Sequence, residues 1–287
     1  MLVIVGCVVV LASVVGGYVA GGGHLDVLFQ PFEVMIIVGA AIGGFITSNR
    51  KPVLSAAGKA IPALFKGEKF DKKAYLELLT MLYALFKMAK TKGALALEAH
   101  VEKPEESTLF SKFPTFLHDH HAVTFLCDYL RLLTLGTDNH HEMETLMDED
   151  LNIHREEHHA VAGAIGSVAD AMPALGIVAA VLGVIHTMGS ITEPPAVLGH
   201  LIGGALVGTF MGILLSYGFI APIAAAIKNR GDAEERYFLC MKAGILAYMQ
   251  GYAPSVAVEF ARKALNTDVR PTFYEVEEAV ENMPQAA

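Results

Sequence analysis

The chain has 287 residues, 53% of them hydrophobic, with 21 Lys and Arg, 30 Asp and Glu, and no Trp. Its net charge of −9 argues against nucleic acid as a partner. The three cysteines lie far apart and predict neither a disulfide framework nor a cysteine metal site. A soluble enzyme of this length is rarely so apolar, so the composition predicts an all-α polytopic membrane protein with soluble segments.

Four apolar runs are long enough to cross a bilayer core of about 30 Å as helices. They cover residues 2–19, 32–47, 171–187 and 198–227. Only a short connector joins the last two runs, which therefore predict a transmembrane hairpin with one proline in each arm, Pro173 and Pro222. Asp170 is the only carboxylate at that end of the hairpin, and no carboxylate is expected deep within a span. An ion path would then need an acid from a partner.

The basic residues predict the topology. None precedes Arg50, and Lys228 and Arg230 follow the fourth span directly. Because cytoplasmic flanks are enriched in Lys and Arg, both termini are expected in the cytoplasm. The predicted division is: residues 1–50, spans one and two; 51–165, a helical cytoplasmic domain; 166–228, spans three and four; and 229–287, a cytoplasmic helical tail.

Apolar residues at three- and four-residue steps predict cytoplasmic helices over residues 75–90 and 114–135. Gly136 is expected to end the second helix, and Asp138 to cap a third. Residues 231–265 predict a further helical stretch, interrupted at 251–254, and the tail from Asp268 is expected to be short and mobile.

Two features of the fourth span suggest specific roles. Gly204, Gly208 and Gly212 lie at four-residue spacing, which favours close helix packing. Thr209 either bonds back to its own helix or lines a hydrated path, and the sequence leaves both open. The prolines likewise fit either a fixed kink or a hinge.

The twelve histidines form clusters but no HExxH pattern, so exposed surface histidines are favoured over a metal site. A metal transporter or sensor built on them is kept as an alternative. No nucleophile–base set or phosphate loop is present, so the chain is not expected to be an enzyme, and no cofactor is expected beyond a transported ion.

With these residues in place, the chain resembles the flagellar motor stator A-subunits of the MotA/TolQ/ExbB superfamily. The similar segments are MPALGIVAAVLGVIH at 172–186, VGTFMGILLSYGFIAP at 207–222, DYLRL at 128–132, LMDE at 146–149 and GYAPSVAVEFARK at 251–263. The resemblance implies an inner-membrane pentamer, in contact with lipid, around a dimer of a single-span, peptidoglycan-binding MotB-type partner. That partner's membrane aspartate would accept the ion.

The resemblance also implies residue roles. The essential prolines of the family fall on Pro173 and Pro222, and the channel threonine falls on Thr209. The charged pair that faces the rotor protein FliG falls on Lys90 and Glu98, with Lys90 where relatives often have Arg.

The position of Ala180 bears on the ion, because sodium-driven relatives carry a threonine there. The resemblance therefore favours H+ over Na+. Two further alternatives remain: an ExbB/TolQ-type energiser of envelope transport, and a structural scaffold without ion flux.

Overall fold

The computed structural model describes residues 2–67 and 69–283, and this part of the chain contains helices and no strands. The described residues form thirteen α-helices: Leu2–Ala20 (α1), Leu25–Leu28 (α2), Pro31–Ser48 (α3), Lys51–Ala63 (α4), Lys72–Lys92 (α5), Glu98–Val101 (α6), Pro114–Leu117 (α7), His120–Thr134 (α8), His140–Met188 (α9), Pro195–Leu215 (α10), Ala221–Met249 (α11), Pro254–Lys263 (α12) and Phe273–Glu281 (α13). A π-helical segment, Ser216–Ile220, joins α10 to α11. Short 3₁₀ turns lie at Ala94–Leu97, Pro104–Glu106 and Phe110–Lys112.

Within the part of the chain that the structure describes, four helical stretches are long and apolar enough to cross a membrane, which confirms the four predicted spans. The helix that contains the third span is longer than that span, since α9 begins at His140 and continues without a break into the span predicted from residue 171. Nothing interrupts the helix between these positions, because the first proline after His140 is Pro173, deep inside α9. The predicted domain boundaries at 165/166 and 228/229 therefore fall within α9 and α11.

The chain forms two compact units. Residues 2–67 and 156–230 make up the membrane unit, which contains the four spans. Residues 69–155 and 231–283 make up the cytoplasmic unit.

Packing within the membrane unit relies on small and apolar side chains. Ile37 and Ala41 of α3 are buried against Met172 and Ala179 of α9. Helix α1, by contrast, has no buried residue. A helix that is apolar all round and exposed in this way suits a lipid or protein environment rather than water.

The cytoplasmic unit has an ordinary hydrophobic core. Helix α5 carries the predicted periodicity and buries Leu78, Leu82 and Leu85 completely. Residues of α6, α7, α8, α9, α11, α12 and α13 belong to the same cluster, and Phe86 stacks on Tyr248 at 4.9 Å between ring centroids.

The single helix predicted over residues 114–135 is wrong, because the chain divides there into α7 and α8. Asp119 adopts an extended conformation between them, and its carboxylate accepts a hydrogen bond from the Ala122 amide and pairs with Lys69 at 2.7 Å. A capping aspartate at this position starts a new helix. Gly136 follows α8 with φ of 88°, as expected.

Two further local expectations need correction. Asn139, rather than Asp138, accepts the backbone hydrogen bonds that start α9, from His141 and Glu142. The tail from Asp268 is not simply mobile, because it contains α13. Thr272 and Glu275 form a reciprocal capping box, and the T-x-x-E spacing of these residues was a readable signal. The tail's last residues, 284–287, lie outside the described residues.

One ion pair of the cytoplasmic unit predicts a response to acid. Buried Arg262 donates to both carboxylate oxygens of Glu259, at 2.7 and 2.6 Å, and to the Pro271 carbonyl at 2.9 Å. These bonds hold the pKa of Glu259 below its usual 4.5. Because the folded-state pKa is depressed, the stabilisation is present above pH 4.5 and is lost as the pH falls through the folded pKa.

We therefore expect Glu259→Gln to lower the free energy of unfolding by about 1 kcal/mol at pH 7. The difference from wild type should shrink below pH 4.5, as measured by thermal unfolding across pH. Glu277→Gln, at an exposed position, is the matched control. If the stability difference between Glu259→Gln and wild type stays constant down to pH 3, the assignment of this ion pair is contradicted.

Candidate ion pathway and coupling site

Helices α9 and α10 run antiparallel in direct backbone contact. A Cβ built on Gly212 would lie 2.7 Å from the Met172 carbonyl oxygen and 2.8 Å from the Gly176 Cα. A Cβ built on Gly208 would lie 3.0 Å from the amide nitrogen of Ala180. Side chains at these two glycines would force the helices apart, so the sequence permits a closer approach than ordinary residues allow.

Gly204 belongs to the same helix but has a different neighbour. A Cβ built there would lie 2.9 Å from Nε2 of Gln30, the residue that precedes α3. The structure therefore brings Gly208 and Gly212 to α9, and Gly204 to the start of the second span.

Glu33 corrects the expectation that no carboxylate lies deep within a span. It is the third residue of α3, and its Oε2 would lie 2.7 Å from a Cβ on Gly208. Gly208 is roughly 20 Å along α10 from Pro195, at 1.5 Å per residue. Sequence reasoning missed Glu33 because the residue appears terminal in its own helix, although it packs midway along another. Its Oε2 is buried and has no hydrogen-bond partner among the described residues.

The hydroxyl of Thr209 also stands out among the threonines of the spans. Thr47 and Thr187 each donate to a carbonyl one turn earlier, in Gly43 at 3.1 Å and Gly183 at 2.9 Å. Half-buried Thr209 has no such bond within the described chain. Of the two alternatives for Thr209, the bond back to its own helix is therefore not made.

The two prolines occupy different local structures. Pro173 is half-buried inside α9, three residues after exposed Asp170. Pro222 is exposed at the second position of α11, just after the π-helical segment. The amide of Ala221 donates to the Ser216 carbonyl, five residues back, so the helical turn just before this proline is wider and contains one extra residue. The sequence carried no signal for that π-helical segment.

Lys90 and Glu98 lie in the cytoplasmic unit, and both are exposed. Lys90 belongs to the last turn of α5, and Glu98 begins α6. Gly93 turns the chain between them with φ of 87°, and Leu97 is buried in the core. The pair is therefore held at the surface by a fixed turn.

Comparisons with known proteins agree with this geometry. Residues 4–93 match the family model described as Motility protein A N-terminal, and residues 119–239 match the MotA/TolQ/ExbB proton channel family. Motility protein A of Salmonella typhimurium is 45% identical over 280 residues, which cover 98% of this chain and 95% of that protein.

Two solved structures have the same fold. The structure titled C. jejuni MotAB is similar with a TM-score of 0.78 at 22% identity, covering 93% of this chain and 96% of that chain. The flagellar MotAB stator complex from Bacillus subtilis gives a TM-score of 0.67 at 24% identity, covering 89% and 92%. The 45% identity over nearly the whole chain and the shared fold together show the family. The chain belongs to the motility protein A family, within the MotA/TolQ/ExbB proton channel superfamily.

Proposed function

We propose that this stator subunit of the bacterial flagellar motor, a multi-pass inner-membrane protein, conducts protons only together with a MotB-type single-span partner. The observation that carries the proposal is that the hydroxyl of Thr209 makes no hydrogen bond among the described residues, next to the backbone contact between Gly208 and Ala180. A hydroxyl that makes no bond within its own chain is available to water or to a partner's acid. The subunit acts as an ion-conducting motor part rather than as an enzyme, with both termini in the cytoplasm.

Glu33 is a poor substitute for the partner's acid. A relay group must exchange its proton with a neighbour within hydrogen-bond reach or through water. The Oε2 of Glu33 is buried against Gly208 and has no hydrogen-bond partner among the described residues to which it could pass a proton. We assign Glu33 to packing between the spans and the titrating carboxylate to the partner.

The exposed apolar surface of the spans supports assembly with further copies. Large side chains such as Val8, Ile185 and Leu206 are about half exposed or more, and α1 buries nothing. We propose that five copies surround a dimer of the partner, with lipid on the outer side.

The mechanism follows from charge. Protonation of the partner's aspartate near Thr209 and Pro173 neutralises a charge in a low-dielectric site, which is a large local change. The ring of subunits responds by stepping around the partner. A proton that crosses about 150 mV supplies roughly 3.5 kcal/mol for that step.

The side chains near the proposed path favour H+ over Na+. Na+ needs several oxygen ligands at once, whereas Ala180 offers a methyl group and Thr209 a single hydroxyl. A proton requires only one acceptor.

Reconstitution in liposomes tests the proposal. The chain alone is expected to leave a pH gradient intact, and the complex with the partner to dissipate it about tenfold faster or more, because only the complex contains an exchangeable acid. Thr209→Val should slow the complex, while Glu33→Gln should keep the flux within about twofold. A strong leak through the lone chain, or loss of flux in Glu33→Gln, would place the acid in this chain and contradict the proposal.

We further propose that Lys90 and Glu98 contact charges of the rotor protein FliG. Glu98→Lys reverses one charge of an exposed pair and is expected to lower motility, because like charges then meet at the interface. Exposed ion pairs contribute about 1 kcal/mol or less, so the loss should be partial. Swimming-plate motility measures the effect, with exposed Glu106→Lys on the same unit as control. Equal motility of the two variants would exclude Glu98 from the contact.

A further inference from the structure

The proline inside α9 leaves one backbone carbonyl without its helical donor. In an α-helix the amide of residue 173 would bond to the carbonyl of residue 169, but Pro173 has no N–H. The Ala169 carbonyl is buried, since this residue is 1% exposed. An unpaired carbonyl in a membrane interior is costly, so a donor from elsewhere is expected.

Ser216 is that donor. Its hydroxyl donates to the Ala169 carbonyl at 2.6 Å, across 47 positions of sequence and between two spans. Ser216 is 0% exposed, so water does not compete for the bond. The serine of α9 itself behaves differently, because exposed Ser167 donates to the Gly163 carbonyl in its own helix.

The position of Ser216 links this bond to the second proline. Ser216 is the first residue of the π-helical segment, and its own carbonyl accepts the amide of Ala221, which precedes Pro222. The side chain of Ser216 therefore supplies the hydrogen bond that is missing at Pro173, while its backbone forms the wide turn that leads into Pro222. A change of angle at Pro173 moves the Ala169 carbonyl and, through it, the start of that turn.

We propose that Ser216 is a positioning residue of the stator, which couples the two proline segments through the carbonyl that Pro173 frees. The hydroxyl touches neither the ion nor the partner. It acts by making the bends of the third and fourth spans change together during a step. The functional half of this inference rests on the proposed function, whereas the hydrogen bond itself does not.

A double-mutant cycle on the purified full chain in detergent tests the bond. Ser216→Ala is expected to lower the midpoint of thermal unfolding by about 2–4 °C, the loss of roughly one membrane hydrogen bond. In a Pro173→Ala background residue 169 regains a helical donor, so the same change should shift the midpoint by less than about 1 °C. Ser167→Ala is the matched control and should shift neither background. Equal penalties for Ser216→Ala in both backgrounds would overturn the inference.

Rotation of the assembled motor at low load tests the coupling. Ser216→Ala should rotate at about half the wild-type rate or less, with unchanged membrane level and partner co-purification. Ser216→Cys keeps the volume with a weaker donor and should fall in between. A wild-type rate in Ser216→Ala, alongside the expected unfolding cycle, would reduce the bond to a structural one and overturn the positioning role. The cycle needs neither partner nor ion, so its failure is distinguishable from failure of the proposed function.

Discussion

Gly212→Ala is expected to abolish motility, although it adds only one methyl group. The new Cβ would lie 2.7 Å from the Met172 carbonyl oxygen and 2.8 Å from the Gly176 Cα, and both are backbone atoms that cannot rotate away. Helices α9 and α10 must separate to accept the methyl group, at a cost of about 1–3 kcal/mol. Each 1.4 kcal/mol is about tenfold in an equilibrium, so the ratio of closely packed to separated hairpin should fall by roughly 5- to 150-fold.

Gly199→Ala is the matched control, because it lies in the same helix with no atom within 4 Å of the added Cβ. Swimming speed and the rotation rate of tethered cells measure the effect, with membrane levels of both variants compared by immunoblot. If Gly212→Ala swims like Gly199→Ala, the tight crossing is not needed for function.

The glycine spacing predicted a close helix contact, but not which glycine meets which helix. The i, i+4 pattern is local, so it could be read directly from the sequence. That Gly204 meets Gln30 depends on where α3 begins relative to α10, and that Gly208 meets Ala180 depends on the offset between α9 and α10. Such an offset is a tertiary property, and for the same reason Glu33 escaped sequence reasoning.

Local signals account for most of the elements that were predicted. The four spans follow from runs of apolar residues, and Gly136 ends α8 because a glycine accepts positive φ without strain. The bond from Ser216 to Ala169 has no local signal, since its partners are 47 positions apart. Pro173 indicates that a carbonyl is freed, but only the fold identifies the donor.

The second large effect is expected at Pro173. Pro173→Ala returns an amide to the middle of α9, where it can bond to the Ala169 carbonyl in place of the Ser216 hydroxyl. The helix should become straighter and stiffer, so the midpoint of thermal unfolding should rise while the rotation rate falls by about tenfold or more. A loss of function through simple misfolding would lower both quantities.

Opposite changes in stability and rotation would therefore identify Pro173 as a hinge rather than a fixed kink. Pro62→Ala is the control, because Pro62 is an exposed proline inside α4. Removing it should raise stability without slowing rotation. If both variants slow the motor equally, helix stiffness in general is responsible, and if neither does, the proline in the third span is a fixed kink. If Pro173→Ala slows rotation and Pro62→Ala does not, the missing backbone hydrogen bond of α9 is required for function, because the helix must bend at Pro173 in each step.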